Sequence, residues 1–268
     1  MINSIHVLQL QSVGNIRDLG GFQAGNGKQL KYGKIFRSAH LHHLSETDQI
    51  TLQALGVNKV IDFRGVEEQK NEPDKPMSDT EYFLFPVFFS TRIPVINEKF
   101  IKDMLHNKDS LIELLFRQKE QMQEVYRDFV LEESARKAYH EFFQILLESN
   151  KPKDTVLFHC TAGKDRTGFA AALFLRCMGV DMDCIINDYL LTNEYLKKRI
   201  EETIVKFQSL HIDEAIIQET KKYFLAQESH LKLSFQTISD HYGDFQTYLK
   251  KIGIDENATA KLFDIYTE

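Results

Sequence analysis

A nearly continuous apolar segment, Thr155–Cys160 (TVLFHC), leads into a short loop and then into a predicted helix, Thr167–Met178. A second segment, Val57–Phe63 (VNKVIDF), is rich in β-branched residues. Strands that are apolar along their whole length are buried on both faces, which is typical of a parallel sheet covered by helices. The sequence therefore predicts that these two segments are central strands of an α/β fold.

Two shorter elements precede these strands. Lys34–Ser38 has β character, and Ser45–Leu55 carries apolar side chains at an approximately helical spacing. Ser45 suits a helix N-cap, and Gly56 suits the end of a helix. The order strand, helix, strand favours an α/β fold with a mostly parallel central sheet flanked by helices.

The chain contains no glycine between Gly65 and Gly163. Within that interval apolar residues recur at helical spacing, which predicts a helical insertion at about 92–150. One of its helices is predicted to open at Ser110, where the sequence fits a capping box. Such an insertion could act as a lid over a site, or it could simply cover the core.

The rest of the chain carries no sign of a second domain. A helical C-terminal part is predicted at about 181–268, and no internal repeat or low-complexity linker is present. We therefore expect residues 1–268 to form a single domain with one helical insertion.

Composition limits the partners and the compartment. The net charge of −6 argues against general nucleic-acid binding, which favours a basic balance. Three cysteines in 268 residues do not make a disulfide framework, which suggests a reducing compartment. No apolar segment is long enough for stable membrane insertion, and Met1–Val13 lacks a signal-peptide pattern. We expect a cytoplasmic protein, or one secreted without a signal recognisable in this chain.

The loop that follows the Thr155–Cys160 strand carries the chemistry. It reads HCTAGKDRTG from His159 to Gly168. In a tight strand-to-helix loop the backbone N–H groups point into one concavity, and the helix N-terminus adds positive potential. A phosphate dianion suits such a concavity. We predict that these loop residues bind the substrate phosphate: Thr161, Ala162, Gly163, Lys164 and Thr167.

Two side chains of this loop can perform phosphoryl transfer. Cys160 lies beneath the expected anion, where a positive field favours the thiolate, which is the nucleophilic form. The planar guanidinium of Arg166 can bind two phosphoryl oxygens at once and stabilise the transition state. We predict that Cys160 forms a phosphocysteine that water then hydrolyses, with Thr167 donating a hydrogen bond to the sulfur. The alternative for Cys160 is a buried, inert cysteine at a strand end.

A leaving tyrosine oxygen needs a proton, so a carboxylic acid is expected close to the loop. Asp165 is the first candidate because it lies within the loop beside Arg166. Asp62 is the second, because α/β sheets present functional groups at the carboxyl ends of their strands. Alternatively, Asp62 pairs with Arg64 or Arg166 and only orients the site.

The loop resembles the signature loop of the protein tyrosine phosphatases, in particular that of an atypical bacterial branch. Ala162–Gly168 (AGKDRTG) is similar to the loop of that branch, and Asn15–Gly21 (NIRDLGG) to its N-terminal motif. Arg37–Ala39, Ile61–Arg64 and Asp188–Leu191 are further matches. The resemblance implies a tyrosine-phosphatase-like fold with a helical lid and hydrolysis of phosphotyrosine. It also allows phosphoserine and phosphothreonine as substrates.

Several charged residues have less specific expectations. Lys164 adds a second positive charge at the rim of the loop, as in phosphoinositide phosphatases, which keeps that activity open as an alternative. Its simpler interpretation is a solvated lysine. Asn15, Arg17 and Asp18 are expected to brace the loop from behind.

Other classes of function remain open from the residues alone. A rhodanese-like sulfurtransferase also holds a loop cysteine under backbone amides, although Arg166 and Thr167 suit phosphoryl hydrolysis. A non-catalytic phospho-binding module would more often lack Cys160 or Arg166. Three histidines without a carboxylate or cysteine at ligand spacing do not predict a metal site: His40, His42 and His43. We expect no metal or other cofactor, and a phosphorylated protein or a phosphoinositide as substrate.

Overall fold

The computed structural model describes residues 8, 10–89, 121–209 and 213–268. A five-stranded sheet forms its centre, with the strand order β1-β2-β5-β3-β4. The strands are β1 (Arg17–Asp18), β2 (Ile35–Ser38), β3 (Val57–Asp62), β4 (Glu81–Leu84) and β5 (Thr155–His159). β1 pairs antiparallel with β2, and the remaining pairings are parallel. The predicted α/β fold with a mostly parallel sheet is confirmed.

Helices lie against both faces of this sheet. In chain order the described helices are α1 (Glu46–Ala54), α2 (Val66–Asn71), α3 (residues 121–131), α4 (Glu133–Glu148), α5 (Asp165–Cys177), α6 (Met182–Ser209), α7 (Glu214–Phe224), α8 (Glu228–Tyr242), α9 (Phe245–Lys251) and α10 (Glu256–Tyr266). None of the helices in the described part of the chain combines the length and the apolar character needed to cross a bilayer.

The predicted central elements appear with small changes of boundary. The hydroxyl of Ser45 caps α1 as expected, accepting a hydrogen bond from the Asp48 N–H at 3.2 Å. The helix predicted at Thr167–Met178 begins two residues earlier, so Asp165 and Arg166 belong to its first turn. β1 and β4 were not predicted, because β1 has only two residues and β4 is an edge strand whose first two residues are exposed, so neither shows a clear apolar pattern.

Successive side chains along a strand point to opposite faces of the sheet, so the core has two parts, one on each face. In β5, Val156 and Phe158 face one side of the sheet and Leu157 faces the other. The larger cluster of buried side chains lies on the side of α3, α4 and α5, whereas the smaller one contains Leu52 of α1. Because both faces are covered, β5 is fully buried, as its continuous apolar sequence predicts.

The described helices of the predicted insertion, residues 121–148, pack one side against the core. Tyr126, Phe129, Phe142 and Phe143 of its helices are completely buried. Such packing matches helices that cover the core, the alternative to a lid. The predicted helix start at Ser110 lies outside the described residues. The division into one domain with an insertion and a helical C-terminal part stays a prediction.

Candidate active site

Cys160 follows β5 directly, at the carboxyl edge of the parallel strands. The register pairs His159 of β5 with Ser38 of β2 on one side and with Asp62 of β3 on the other. Cys160 is therefore flanked by the ends of two neighbouring strands, and its own exposed fraction is 2%. α5 begins at Asp165, so the loop between them opens onto a helix N-terminus, where partial positive charge favours an anion.

Gly163 shapes this loop in a way that no other residue could. Its φ of 66° lies in the left-handed region. A Cβ at this position would overlap the backbone of Ser38 and Ala39 at the end of β2. The loop can approach β2 this closely only because a glycine is present.

The outer side of the loop is held by two polar side chains. Asn15 Nδ2 donates to the carbonyl oxygens of Ala162 and Gly163 at 3.0 and 2.9 Å, and a terminal nitrogen of Arg37 also donates to Gly163 O at 2.9 Å. The C=O and N–H of a trans peptide point in opposite directions. With these carbonyls facing Asn15, the N–H groups of Gly163 and Lys164 face the other way, towards the concavity.

A buried carboxylate supports both bracing elements. Asp188 of α6 pairs with Arg17 at 2.7 Å and with Arg37 at 2.6 Å. Burial raises the pKa of Asp188, but the charges and hydrogen bonds of the two arginines outweigh burial and lower it. Arg17 in turn donates to Asn15 Oδ1 at 2.6 Å. Asp18, expected beside the loop, accepts from the N–H groups of Gly20, shortly after β1, and Gly33, shortly before β2.

Arg166 is held by a residue that the sequence did not single out. Glu68 of α2 accepts from both terminal nitrogens of Arg166, at 2.6 and 2.9 Å, and from the Thr161 hydroxyl at 2.6 Å. Burial raises the pKa of Glu68, but its hydrogen bonds and the charge of Arg166 lower it overall to about 2. Glu68 also accepts from the Gly65 N–H at 3.0 Å, at the start of α2. Because Gly65 has no side chain to complete a capping box, the sequence carried no clear local signal for Glu68.

The remaining donor of Arg166 indicates how phosphate can be bound. Its Nε is buried and makes no hydrogen bond within the described part of the chain. A buried N–H without a partner is costly, and such groups are characteristically completed by a ligand or by water. The guanidinium therefore offers one edge to Glu68 and keeps Nε for an oxyanion.

Asp165 and Lys164, at the start of α5, contact helices from elsewhere in the chain. The Tyr126 hydroxyl donates to Asp165 Oδ1 at 2.7 Å. Lys164 Nζ donates to the carbonyl oxygens of Tyr223 at 2.8 Å and Phe224 at 3.4 Å, at the end of α7, and lies 3.8 Å from Asp165 Oδ2. With 6% of its surface exposed, Lys164 is not the solvated lysine considered above.

Asp62 forms an ion pair with Arg64. Its carboxylate accepts from Arg64 Nε at 3.0 Å and from the Arg64 backbone N–H at 2.9 Å. Arg64 also contacts Asp74 at 3.0 Å, and Asp74 lies 2.9 Å from Nε2 of the buried His159. This arrangement matches the alternative in which Asp62 only orients the site. Glu68, rather than Asp62, is the carboxylate hydrogen-bonded to Arg166.

Three of these residues lie close enough together to be considered as metal ligands: Asp62, Asp74 and His159. The guanidinium of Arg64 already pairs with both carboxylates, so a cation would compete with it. Burial lowers the pKa of His159, but Asp62 and Asp74 outweigh burial and raise it, which favours an imidazolium that repels a metal. The arrangement is better suited to bracing β3 and β5 than to holding a metal.

The predicted role of Thr167 and the choice of Cys160 among the three cysteines depend on where these side chains lie. The Thr167 hydroxyl is buried and makes no hydrogen bond within the described residues, so its predicted contact with the Cys160 sulfur stays a prediction. The other cysteines lie elsewhere: burial raises the pKa of Cys177 to about 12, and Cys184 is exposed. Of the described cysteines, Cys160 alone lies in the loop beside Arg166.

Comparisons with known proteins agree with this geometry. The model of the tyrosine phosphatase family matches residues 8–268. A Cupriavidus necator protein described as a tyrosine-protein phosphatase is 30% identical over 91% of this chain and 83% of its own length. The triple specificity protein phosphatase PtpB of Mycobacterium tuberculosis is 28% identical over 96% of this chain and 97% of its own length.

A solved structure, P. aeruginosa TpbA in complex with phosphotyrosine, covers 77% of this chain and 88% of its own at 14% identity. Its TM-score of 0.29 is too low to support any statement about this chain. The match of the family model over nearly the whole sequence is decisive. The chain belongs to the tyrosine phosphatase family and is a cysteine-dependent phosphatase, an enzyme class that works through a phosphocysteine intermediate.

Proposed function

We propose that this phosphatase hydrolyses phosphotyrosine in proteins, with Cys160 as nucleophile, Arg166 as phosphoryl-binding residue and Asp165 as general acid. The observation that carries the proposal is the state of Arg166. Its two terminal nitrogens are fixed by Glu68, while its buried Nε makes no hydrogen bond to any residue that the structure describes. A preorganised donor of this kind stabilises charge that develops in the transition state.

The first step transfers the phosphoryl group to sulfur. The Cys160 thiolate attacks phosphorus, an S–P bond forms, and the bond from phosphorus to the tyrosine oxygen breaks. The electron pair of that bond stays on the leaving oxygen, which takes a proton from Asp165. Arg166 Nε and the N–H groups of Gly163 and Lys164 bind the phosphoryl oxygens.

The second step returns the enzyme to its starting state. Water attacks phosphorus while the Asp165 carboxylate accepts its proton, the S–P bond breaks, and inorganic phosphate leaves. Thr167 lies in α5 one residue beyond Arg166, and its buried hydroxyl is available to stabilise the departing thiolate. The step needs no group beyond those of the loop and water.

The surroundings of Lys164 favour a substrate with one phosphate group over a polyphosphoinositide. A headgroup with several phosphates requires free positive charge beyond the loop. Lys164 does not supply it, because its ammonium donates to the carbonyl oxygens of Tyr223 and Phe224 and lies 5.3 Å from the Tyr223 ring centroid. Phosphoserine, phosphothreonine and phosphoinositides are therefore comparison substrates in the test.

The test measures phosphate release by the purified protein from matched phosphotyrosine, phosphoserine and phosphothreonine peptides and from phosphoinositides. We expect the highest kcat/KM with phosphotyrosine. Cys160→Ser should lower turnover by at least about 1000-fold but still bind the phosphotyrosine peptide, because the serine hydroxyl is a weak nucleophile without a base. The matched control is Cys184→Ser, whose exposed side chain lies in α6 outside the loop. A clear preference for phosphoinositides, or turnover by Cys160→Ser near the wild-type rate, would contradict the proposal.

A further inference from the structure

The acid of this site is the last member of a buried chain of hydroxyl groups. Tyr126 of α3 donates to Asp165 Oδ1 at 2.7 Å, and its oxygen lies 2.5 Å from the hydroxyl oxygen of Tyr189 in α6. Two helices that are remote in sequence, α3 and α6, thus converge on the first turn of α5.

The direction of the hydrogen bonds in this chain follows from chemistry. A carboxyl oxygen that carries no proton can only accept a hydrogen bond. With the transferable proton of the acid on Oδ2, Oδ1 accepts before and after the transfer, so the proton between Tyr126 and Asp165 belongs to Tyr126. The single proton of Tyr126 is then used, and its oxygen accepts from Tyr189. Tyr189 thus donates to Tyr126 and Tyr126 donates to Asp165, where the chain ends.

Both phenols stay protonated through the working pH range. Burial raises the pKa of Tyr126 well above its usual range, and the charge of Asp165 raises it further. Burial also raises the pKa of Tyr189. Tyr126 is completely buried, its ring stacks on His230 at 5.0 Å, and its carbonyl accepts from the Ser234 hydroxyl at 2.6 Å. The hydroxyl that contacts Asp165 is therefore fixed in place.

We propose that Tyr126 is a positioning residue for the general acid: it keeps Oδ1 of Asp165 as an acceptor, so that Oδ2 exchanges protons with the substrate. Tyr189 strengthens this hydrogen bond by donating to Tyr126, since hydrogen bonds in a chain polarise one another. The inference rests on the proposed role of Asp165. It adds that the orientation of the acid is controlled by helices remote in sequence.

The experiment compares aryl phosphates that differ in how much they need an acid. Phenyl phosphate has a poor leaving group, and 2,4-dinitrophenyl phosphate has a good one. For Tyr126→Phe we expect kcat/KM to fall about 10-fold with phenyl phosphate, a part of the 100- to 10,000-fold that an acid supplies, and less than about 2-fold with the dinitrophenyl ester. Tyr189→Phe should produce a smaller loss with the same preference for the poor leaving group.

A double variant separates positioning from a general structural effect. If Tyr126 acts through Asp165, adding Tyr126→Phe to Asp165→Asn should lower kcat/KM with phenyl phosphate less than about 2-fold further, because coupled residues are not additive. The control is Tyr248→Phe, whose buried hydroxyl makes no hydrogen bond within the described residues. For Tyr248→Phe, the ratio of kcat/KM with phenyl phosphate to kcat/KM with the dinitrophenyl ester should equal that of the wild type.

The outcomes distinguish this inference from the proposed function. Suppose that Asp165→Asn lowers kcat/KM mainly with phenyl phosphate, whereas Tyr126→Phe lowers kcat/KM equally with both substrates. The positioning role is then wrong and the acid assignment stands. Full multiplication of the two losses in the double variant would likewise overturn the positioning role. If Asp165→Asn itself lowers kcat/KM equally with both substrates, Asp165 is not the acid and the proposed mechanism fails at that step.

Discussion

Glu68 binds Arg166 through both of its carboxylate oxygens and also accepts a hydrogen bond from the Thr161 hydroxyl. The three side chains come from α2 and from the two ends of the catalytic loop. One carboxylate thus ties the first residue after Cys160 to the arginine that closes the loop. Because both terminal nitrogens of Arg166 donate to Glu68, the orientation of the guanidinium is set before phosphate binds.

Replacing Glu68 should therefore reduce catalysis without removing a group that reacts. For Glu68→Gln we expect kcat/KM with a phosphotyrosine peptide to fall about 10- to 100-fold, because a misplacement of about 1 Å at a catalytic group has an effect of this size. The control is Glu67→Gln, an exposed neighbour that pairs with the exposed Lys70. Equal activity of Glu68→Gln and the wild type would show that Arg166 holds its orientation without Glu68.

The same carboxylate makes stability depend on pH in a defined direction. Its pKa in the folded protein is about 2, below the ordinary value of 4.5. A lowered pKa contributes stability above the ordinary value, and this contribution is lost as the pH falls towards 2. The free energy of unfolding, measured with denaturant from pH 6 to pH 3, should fall more steeply for the wild type than for Glu68→Gln. Parallel curves would contradict the assigned pKa.

Gly163→Ala should disable the loop. The added Cβ meets the backbone of β2, which cannot move aside as a flexible side chain could, and the left-handed φ adds strain. We expect activity to fall by more than about 100-fold, together with loss of inorganic phosphate binding. Gly27→Ala is a matched control, with φ of 72° and open space around the added Cβ. It should cost about 1 kcal/mol of stability and leave turnover unchanged. Similar effects of both variants would mean that backbone strain alone explains the loss.

The parts of the site that are local in sequence could be predicted, because their geometry is local too. Cys160, Arg166 and the residues between them lie in one short loop, so the order of residue types already implies a phosphate cradle. For Asp62 the sequence left two roles open, a candidate acid at a strand end and an ion pair with Arg64 or Arg166. The structure shows the pair with Arg64, two residues later, and the acid role stays a prediction.

The supporting residues could not be predicted, because tertiary packing decides their partners. Glu68 lies 98 positions from Arg166 in the sequence, and Tyr126 lies 39 positions from Asp165. No spacing rule connects such residues in a single sequence. For Asp188 the family motif marked the position, but only the structure shows that it neutralises two buried arginines.

Asp188→Asn should destabilise the protein strongly. The change leaves Arg17 and Arg37 buried with one neutral partner, and breaking a buried ion pair costs about 3–5 kcal/mol. Since Arg37 also holds the Gly163 carbonyl, affinity for inorganic phosphate should fall at a temperature where the variant is folded. Asp183→Asn, at an exposed position in the first turn of the same helix, is the control. A variant as stable as Asp183→Asn would show that the two arginines do not depend on this carboxylate.

His159 should make stability depend on pH in the direction opposite to Glu68, with stability lost at high pH. Burial lowers its pKa, but Asp62 and Asp74 outweigh burial and raise it above the ordinary value of 6.5. A raised pKa contributes stability that is fully present below the ordinary value and is lost as the pH rises through the folded pKa. The free energy of unfolding of the wild type should therefore fall as the pH rises above the ordinary His value of 6.5 and through the raised pKa of His159. His159→Gln should flatten this dependence, and His43→Gln, at an exposed position, should not. Unfolding in denaturant at several pH values, with a reductant to protect the thiols, measures both. If His159→Gln keeps the wild-type slope, the imidazolium is not what Asp62 and Asp74 stabilise.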